Sequence, residues 1–93
     1  MKVVLTARAR ADLAEIHDYI ALDSPQYAAR VSAQLLVKSY ELGQFPKIGQ
    51  VIAKFSNPNL RERHHRNYRI AYRIKDTVIE ILSIRHVARL SED

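Results

Sequence analysis

Tyr68-Arg69-Ile70-Ala71-Tyr72-Arg73-Ile74, then Lys75-Asp76-Thr77, then Val78-Ile79-Glu80-Ile81-Leu82-Ser83-Ile84: this stretch decides the fold of the 93-residue chain. In the first run Tyr68, Ile70, Tyr72 and Ile74 alternate with Arg69, Ala71 and Arg73. That is the period of a half-buried strand with one apolar and one basic face. The middle residues make a short turn. The second run is apolar on both faces and predicts a central strand. Upstream, Leu60 to Arg66 has little apolar content and reads as a further strand. The turn-rich connectors Phe45-Pro46-Lys47-Ile48-Gly49 and Ser56-Asn57-Pro58-Asn59 come before it.

The pattern changes further towards the N-terminus. Val3-Val4-Leu5-Thr6 suits a short strand. Ala9, Leu13, Ile16 and Ile20 then recur at helical spacing and predict an amphipathic helix over about 8–22. Asp12, Glu15 and Asp18 lie off that stripe and are expected to meet water. Ser24-Pro25 is a helix start: serine caps the first free N–H groups, and proline fits where an N–H has no partner. The second helix is expected over about 25–42, with Ala28, Val31, Leu35 and Leu42 in its core stripe. Gly43 is expected to end it in a left-handed conformation. The short Asp23-Ser24 link makes the two helices an antiparallel hairpin. The order β-α-α-β-β-β predicts an α+β domain spanning 1–93: an antiparallel meander sheet with the hairpin packed on one face.

Composition narrows the function. Apolar residues at 47% and charged residues at 27% are globular values. They exclude a disordered chain, a collagen repeat and a coiled-coil rod. There is no cysteine, so disulfides and thiolate metal sites are excluded. No signal peptide or membrane-length apolar run occurs, so a soluble cytoplasmic protein with no membrane partner is expected. The net charge is +5, and ten of the fifteen basic residues are arginine. Residues 1–53 carry a net +1 and residues 54–93 a net +4. The excess sits in 54–75, where seven Lys and Arg face Glu62 alone. Such a block is a footprint for an anionic partner, or a strand face solubilised by charge.

Arg69 and Arg73 share one strand face and, with Arg85 or Arg89, offer a guanidinium cluster for phosphate or for an acidic protein tail. His86 closes the last strand between Arg85 and the stretch leading to Arg89. Neighbouring guanidinium groups disfavour its protonation, which suits a general base; a strand-end histidine bonded to backbone is the alternative. No histidine spacing fits a metal, and no metal or cofactor is expected. With only Gly43 and Gly49 the chain has no phosphate loop, and paired carboxylates are lacking in the basic half. NTPase and glycosidase chemistry are therefore not indicated.

Taken in order, Ala11-Asp12-Leu13-Ala14-Glu15-Ile16, Tyr19-Ile20, Ser24-Pro25, Phe45-Pro46-Lys47-Ile48-Gly49, Leu60-Arg61-Glu62, Asn67 to Ile74 and Ile79 to Arg89 carry a resemblance. The chain resembles the RelE/ParE superfamily of toxins from type II toxin–antitoxin systems, and the hairpin and Phe45-Pro46 connector look closer to the ParE branch. The resemblance implies the β-α-α-β-β-β fold, growth inhibition and plasmid stabilisation, and a cognate antitoxin through which alone operator DNA is contacted. It also implies a target: DNA gyrase for ParE-like members, ribosome-bound mRNA for RelE-like endoribonucleases. A non-toxic antitoxin-binding module is a third outcome. Arg69 matches a position that is a catalytic arginine in the nucleases, with His86 and Arg89 as further catalytic candidates in that case. The lysine pair of some nucleases is replaced by Arg61, Glu62 and Arg63, and no tyrosine follows the last strand. For the antitoxin, apolar anchors are expected near Ile16, Tyr19 and Ile20, and carboxylates at Arg61, Arg69 and Arg73.

Overall fold

The run around Ile70 forms the middle strand of a five-stranded sheet. The computed structural model describes residues 1–88 and places them in the order β1 (Lys2–Leu5), α1 (Ala7–Ala21), α2 (Pro25–Tyr40), β2 (Gln50–Val51), β3 (Leu60–His65), β4 (Tyr68–Ile74) and β5 (Val78–His86). Across the sheet the strands run β1-β5-β4-β3-β2. The antiparallel meander expected for the C-terminal half is present as β3-β4-β5. Two features extend it. The two-residue β2 pairs antiparallel with β3, and β1 pairs parallel with β5, so the sheet is mixed. The helical hairpin carries the chain over one face between β1 and the meander. This lets Val3 and Leu5 pair with Ile79 and Ile81.

Local chemistry explains the helix boundaries. The Thr6 hydroxyl accepts from Ala9 N–H at 3.1 Å and donates to the Ile81 carbonyl at 2.8 Å, so one side chain caps α1 and ties it to β5. The Ser24 hydroxyl accepts from Tyr27 N–H at 3.1 Å, with Pro25 in the first turn. α2 ends at Tyr40 and tightens into a 3-10 turn, Glu41–Gly43. Gly43 does not take the left-handed conformation expected of it, as no glycine has positive φ. It is required for close approach, because a Cβ there would collide with the Met1 carbonyl oxygen.

The core lies between the hairpin and the sheet. Leu35 and Leu42 from the helical side meet Ile70, Tyr72, Ile79 and Ile81, all fully buried. Leu13 and Ile20 pack at its margin. β5 owes its two-faced apolar pattern partly to a bulge. Ala71 pairs with Ser83 but Tyr72 with Ile81, which leaves Leu82 as an extra residue. The bulge shifts the inward phase, so Ile79, Ile81 and Ile84 all turn to the core. β5 is central as expected, lying between β1 and β4.

Asp12 departs from expectation. It is buried rather than hydrated. β1 ends opposite Ile81, so the next stretch of β5 has no strand on that side. Asp12 Oδ2 accepts the Ile84 N–H at 3.0 Å in place of a strand, and Arg8 Nε donates to Oδ1 at 3.1 Å. A buried N–H needs a partner, and the carboxylate supplies it. Glu15 and Asp18 are exposed as expected. No helix among the described residues is long and apolar enough to cross a membrane.

Candidate functional site

Register divides the basic half of the chain between two faces. Counting back from the two-residue Arg66-Asn67 turn, Arg61 lies opposite Tyr72 and Arg63 opposite Ile70, on the face that the helices cover. Arg61 is engaged there. Its Nε donates to the Pro58 carbonyl at 2.8 Å and its Nη1 to the Gly49 carbonyl at 3.0 Å. Arg63 Nη1 donates to the Lys38 carbonyl at 2.8 Å and to Glu41 Oε1 at 2.9 Å, which locks the end of α2 to the sheet. The structure thus separates Arg61 from Arg69 and Arg73, with which it was grouped.

Arg69 lies on the open face, directly between His64 on β3 and Arg85 on β5. Glu62 belongs to the same surface. Its Oε1 is 3.1 Å from His64 Nε2 and 3.6 Å from Arg69 Nη1. Arg69 Nε is buried and has no hydrogen-bond partner among the described residues. Arg73 is exposed further along the strand, opposite Glu80. Arg85 stands directly across the strand pair from Arg69, so two guanidinium groups share this face. Glu62 and His64 were missed as neighbours of Arg69. The signal was available: a two-residue turn at Arg66-Asn67 fixes His64 opposite Arg69.

The opposite face carries a groove at the tip of the hairpin. Ile16, Tyr19, Ile20, Tyr68, His86 and Ala88 line it. The three apolar candidates on α1 are therefore brought together, and His86 joins them. Tyr68 and His86 pack edge to face, with ring centroids 5.2 Å apart. His86 Nδ1 accepts the Ala88 N–H at 3.1 Å. In the neutral ring this bond leaves the proton on Nε2, so no free lone pair is offered to a substrate. Arg69 and His86 stand on opposite faces of the sheet. Arg89 lies outside the described residues.

On the covered face, Tyr72 joins sheet to connector. Its hydroxyl donates to the Pro46 carbonyl at 2.6 Å and accepts the Gly49 N–H at 2.9 Å. Burial raises the phenol's pKa above its ordinary value, only partly offset by the Gly49 hydrogen bond and nearby Arg61 and Arg63. Among the described residues no three His, Cys, Asp or Glu side chains converge as a metal cluster would require.

A mixed sheet with a helical hairpin on one face and a guanidinium-bearing open face on the other is the architecture that the resemblance to toxins of the RelE/ParE superfamily implies. A family model described as the ParE toxin of type II toxin–antitoxin system, parDE, matches residues 3–90, and the chain belongs to that family. It is a toxin of a type II toxin–antitoxin system. Toxin RelE2 of Caulobacter vibrioides is 38% identical over 90 residues, covering 96% of this chain and 98% of that protein. The chromosomal ParDE system from P. aeruginosa contains a chain that aligns with a TM-score of 0.78 at 27% identity, covering 94% of this chain and 96% of that one. The toxin–antitoxin complex RelBE2 from Mycobacterium tuberculosis shares the fold, with a TM-score of 0.68 at 24% identity over 91% of this chain and 95% of that one.

Proposed function

We propose that this toxin arrests growth by binding DNA gyrase and that a cognate antitoxin neutralises it. The observation that carries a binding mechanism over catalysis is the placement of Arg69 and His86 on opposite sheet faces. A phosphate held at Arg69 has no access to the His86 ring, and His86 Nδ1 is already engaged by backbone. The test is supercoiling by gyrase beside primer extension on translated message. Inhibited supercoiling with intact message is expected. Discrete cuts in codon register with normal supercoiling would overturn the reading.

One observation favours a second reading, a ribosome-dependent, metal-independent endoribonuclease. Glu62 lies between His64 and Arg69 on the open face. There a carboxylate or imidazole could take the 2′-hydroxyl proton while Arg69 stabilises the charge on the phosphorane. Removing one preorganised donor typically costs about 100- to 1000-fold in rate. Under this reading Arg69→Ala relieves toxicity with a native circular dichroism spectrum. Under the gyrase reading message cleavage is absent from the start.

The antitoxin is proposed to reach both faces. Apolar anchors enter the groove at Ile16, Tyr19 and Ile20, and an acidic tail covers Arg69 and Arg73. Arg61 makes its bonds to backbone and is not needed. Affinity for a synthetic antitoxin segment should fall with salt and with Arg69→Glu, while Arg61→Glu acts through stability.

A further inference from the structure

The connector between α2 and β3 exposes apolar side chains from a backbone that is firmly held. Phe45, Ile48 and Phe55 are 57%, 54% and 54% exposed, and Val51 42%. Phe45, Pro46 and Ile48 line an apolar recess with Ile74 and Met1. The supporting bonds are polar and come from the sheet: Tyr72 holds Pro46 and Gly49, and Arg61 holds Gly49 and Pro58. A rigid frame that turns its apolar side chains outward has met much of the ordering cost of binding in advance. Between Glu41 and Glu62 there is no acidic residue, while Lys47 and Lys54 stand among the apolar groups and Lys54 lies over the Phe55 ring at 5.1 Å.

We propose that Phe45 to Phe55 is the surface by which the toxin grips its target, and that it takes an extended, acidic protein segment with apolar anchors laid along β2. The backbone supplies the docking edge. Ile52 N–H bonds to the Leu60 carbonyl, and Gln50 pairs with Glu62. Antiparallel alternation therefore turns the N–H and C=O of Val51 outward from the sheet. An added strand pairs with these groups directly, and the lysines beside them favour an acidic one. A second copy of this chain is disfavoured, because Lys47 and Lys54 would meet each other with no acid in the segment to offset them. The surface is also separate from the hairpin groove. The groove ends at Tyr68 and the recess at Ile74, the two ends of β4, about 20 Å apart at the rise of a strand. A toxin that meets both an antitoxin and a target can use both ends.

This proposal rests on the gyrase reading, and the experiment separates the two. Full-length toxin, Phe45→Ser/Ile48→Ser and Lys47→Glu/Lys54→Glu are compared for inhibition of gyrase holoenzyme and for binding of a synthetic antitoxin segment. Each double variant is expected to need about tenfold more protein, or more, for half-inhibition. Antitoxin binding and circular dichroism should stay native. If the apolar variant does not fold, the charge variant decides alone. Full inhibition by a folded variant overturns the surface and leaves the gyrase reading intact; no inhibition by the natural chain overturns both. Parallel loss of antitoxin binding assigns the connector to the antitoxin and overturns the proposal. So does binding of phosphatidylglycerol vesicles, or a dimer seen in sedimentation, that the same substitutions abolish.

Discussion

The two faces of this sheet use the same residue types for opposite ends. On the covered face Arg61, Arg63 and Asp12 are tied to backbone groups, and their charges hold the fold. On the open face Arg69 and Arg73, with Glu62 and His64, have few backbone ties and are left for something outside the molecule. Arg61 and Arg69 are eight residues apart in the same basic block, and composition treats them alike. Parity and register separate them. Net charge is compatible with an anionic partner or with a solubilised face, and only strand register says which guanidinium groups stand together on the open face.

The largest effect that sharpens this contrast comes from two near neighbours on β4. Ile70 is fully buried on the covered face, and Arg73 is exposed on the other. Ile70→Ala removes a core side chain and leaves a cavity, and should destabilise by about 2–5 kcal/mol. Arg73→Ala should stay within about 0.5 kcal/mol. Urea unfolding of both variants measures the difference. A loss for Arg73→Ala comparable to that for Ile70→Ala would mean that the open face is structural too.

Next in size is Asp12. Asp12→Ala leaves the Ile84 N–H buried and unpaired, and should cost about 1–3 kcal/mol. Asp12→Asn keeps an oxygen for that N–H and should recover part of the loss. Equal losses would show that the charge pair with Arg8, rather than the strand bond, is what matters. The position also shows where sequence legibility stopped. Both helices, the last two strands and the apolar stripe were readable from periodicity, because propensity and pattern agreed there; β3, with little apolar content, was readable only as a segment beside them. Asp12 was not readable, because its burial answers a backbone vacancy created where β1 ends. The parallel β1–β5 pairing was missed for a related reason: a short edge strand carries no mark of its partner. At the site, the clustering of Ile16, Tyr19 and Ile20 was legible from helical spacing. That Arg61 and Arg69 lie on opposite faces was not read, because the parity of β3 depends on the turn at Arg66-Asn67. The separation of Arg69 from His86 follows from parity on β4 and β5, with the bulge at Leu82 needed to get the second one right.

A third comparison pairs Arg63 with Arg69. Arg63→Ala removes a charged donor to the Lys38 carbonyl and Glu41, and should cost about 1–2 kcal/mol. Arg69 is a longer, partly exposed pair with Glu62, so Arg69→Ala should cost under about 1 kcal/mol. The order reverses for binding: a synthetic acidic antitoxin segment should lose affinity to Arg69→Ala and keep it with Arg63→Ala. Calorimetry on both variants decides. Equal affinity losses would erase the division of labour between the faces.

The smallest effect is a pH dependence from the end of β3. His65 is partly buried on the covered face, with its Nε2 3.4 Å from Gln34 Oε1. Burial lowers its pKa below the ordinary 6.5, and Lys38, Arg66 and Arg63 lower it further against a weaker opposing pull from Glu41. The folded protein therefore takes up this proton less readily than the unfolded chain. The stability linked to His65 is fully present above pH 6.5 and is lost as pH falls through the lowered folded value. His65→Gln removes the titration and should flatten the stability profile between pH 7 and 5, read by urea unfolding at each pH. An unchanged slope in that variant would place the origin elsewhere. A slope that steepens would mean that the imidazole gains, rather than loses, from its charged neighbours, and that Glu41 outweighs the three cations around it.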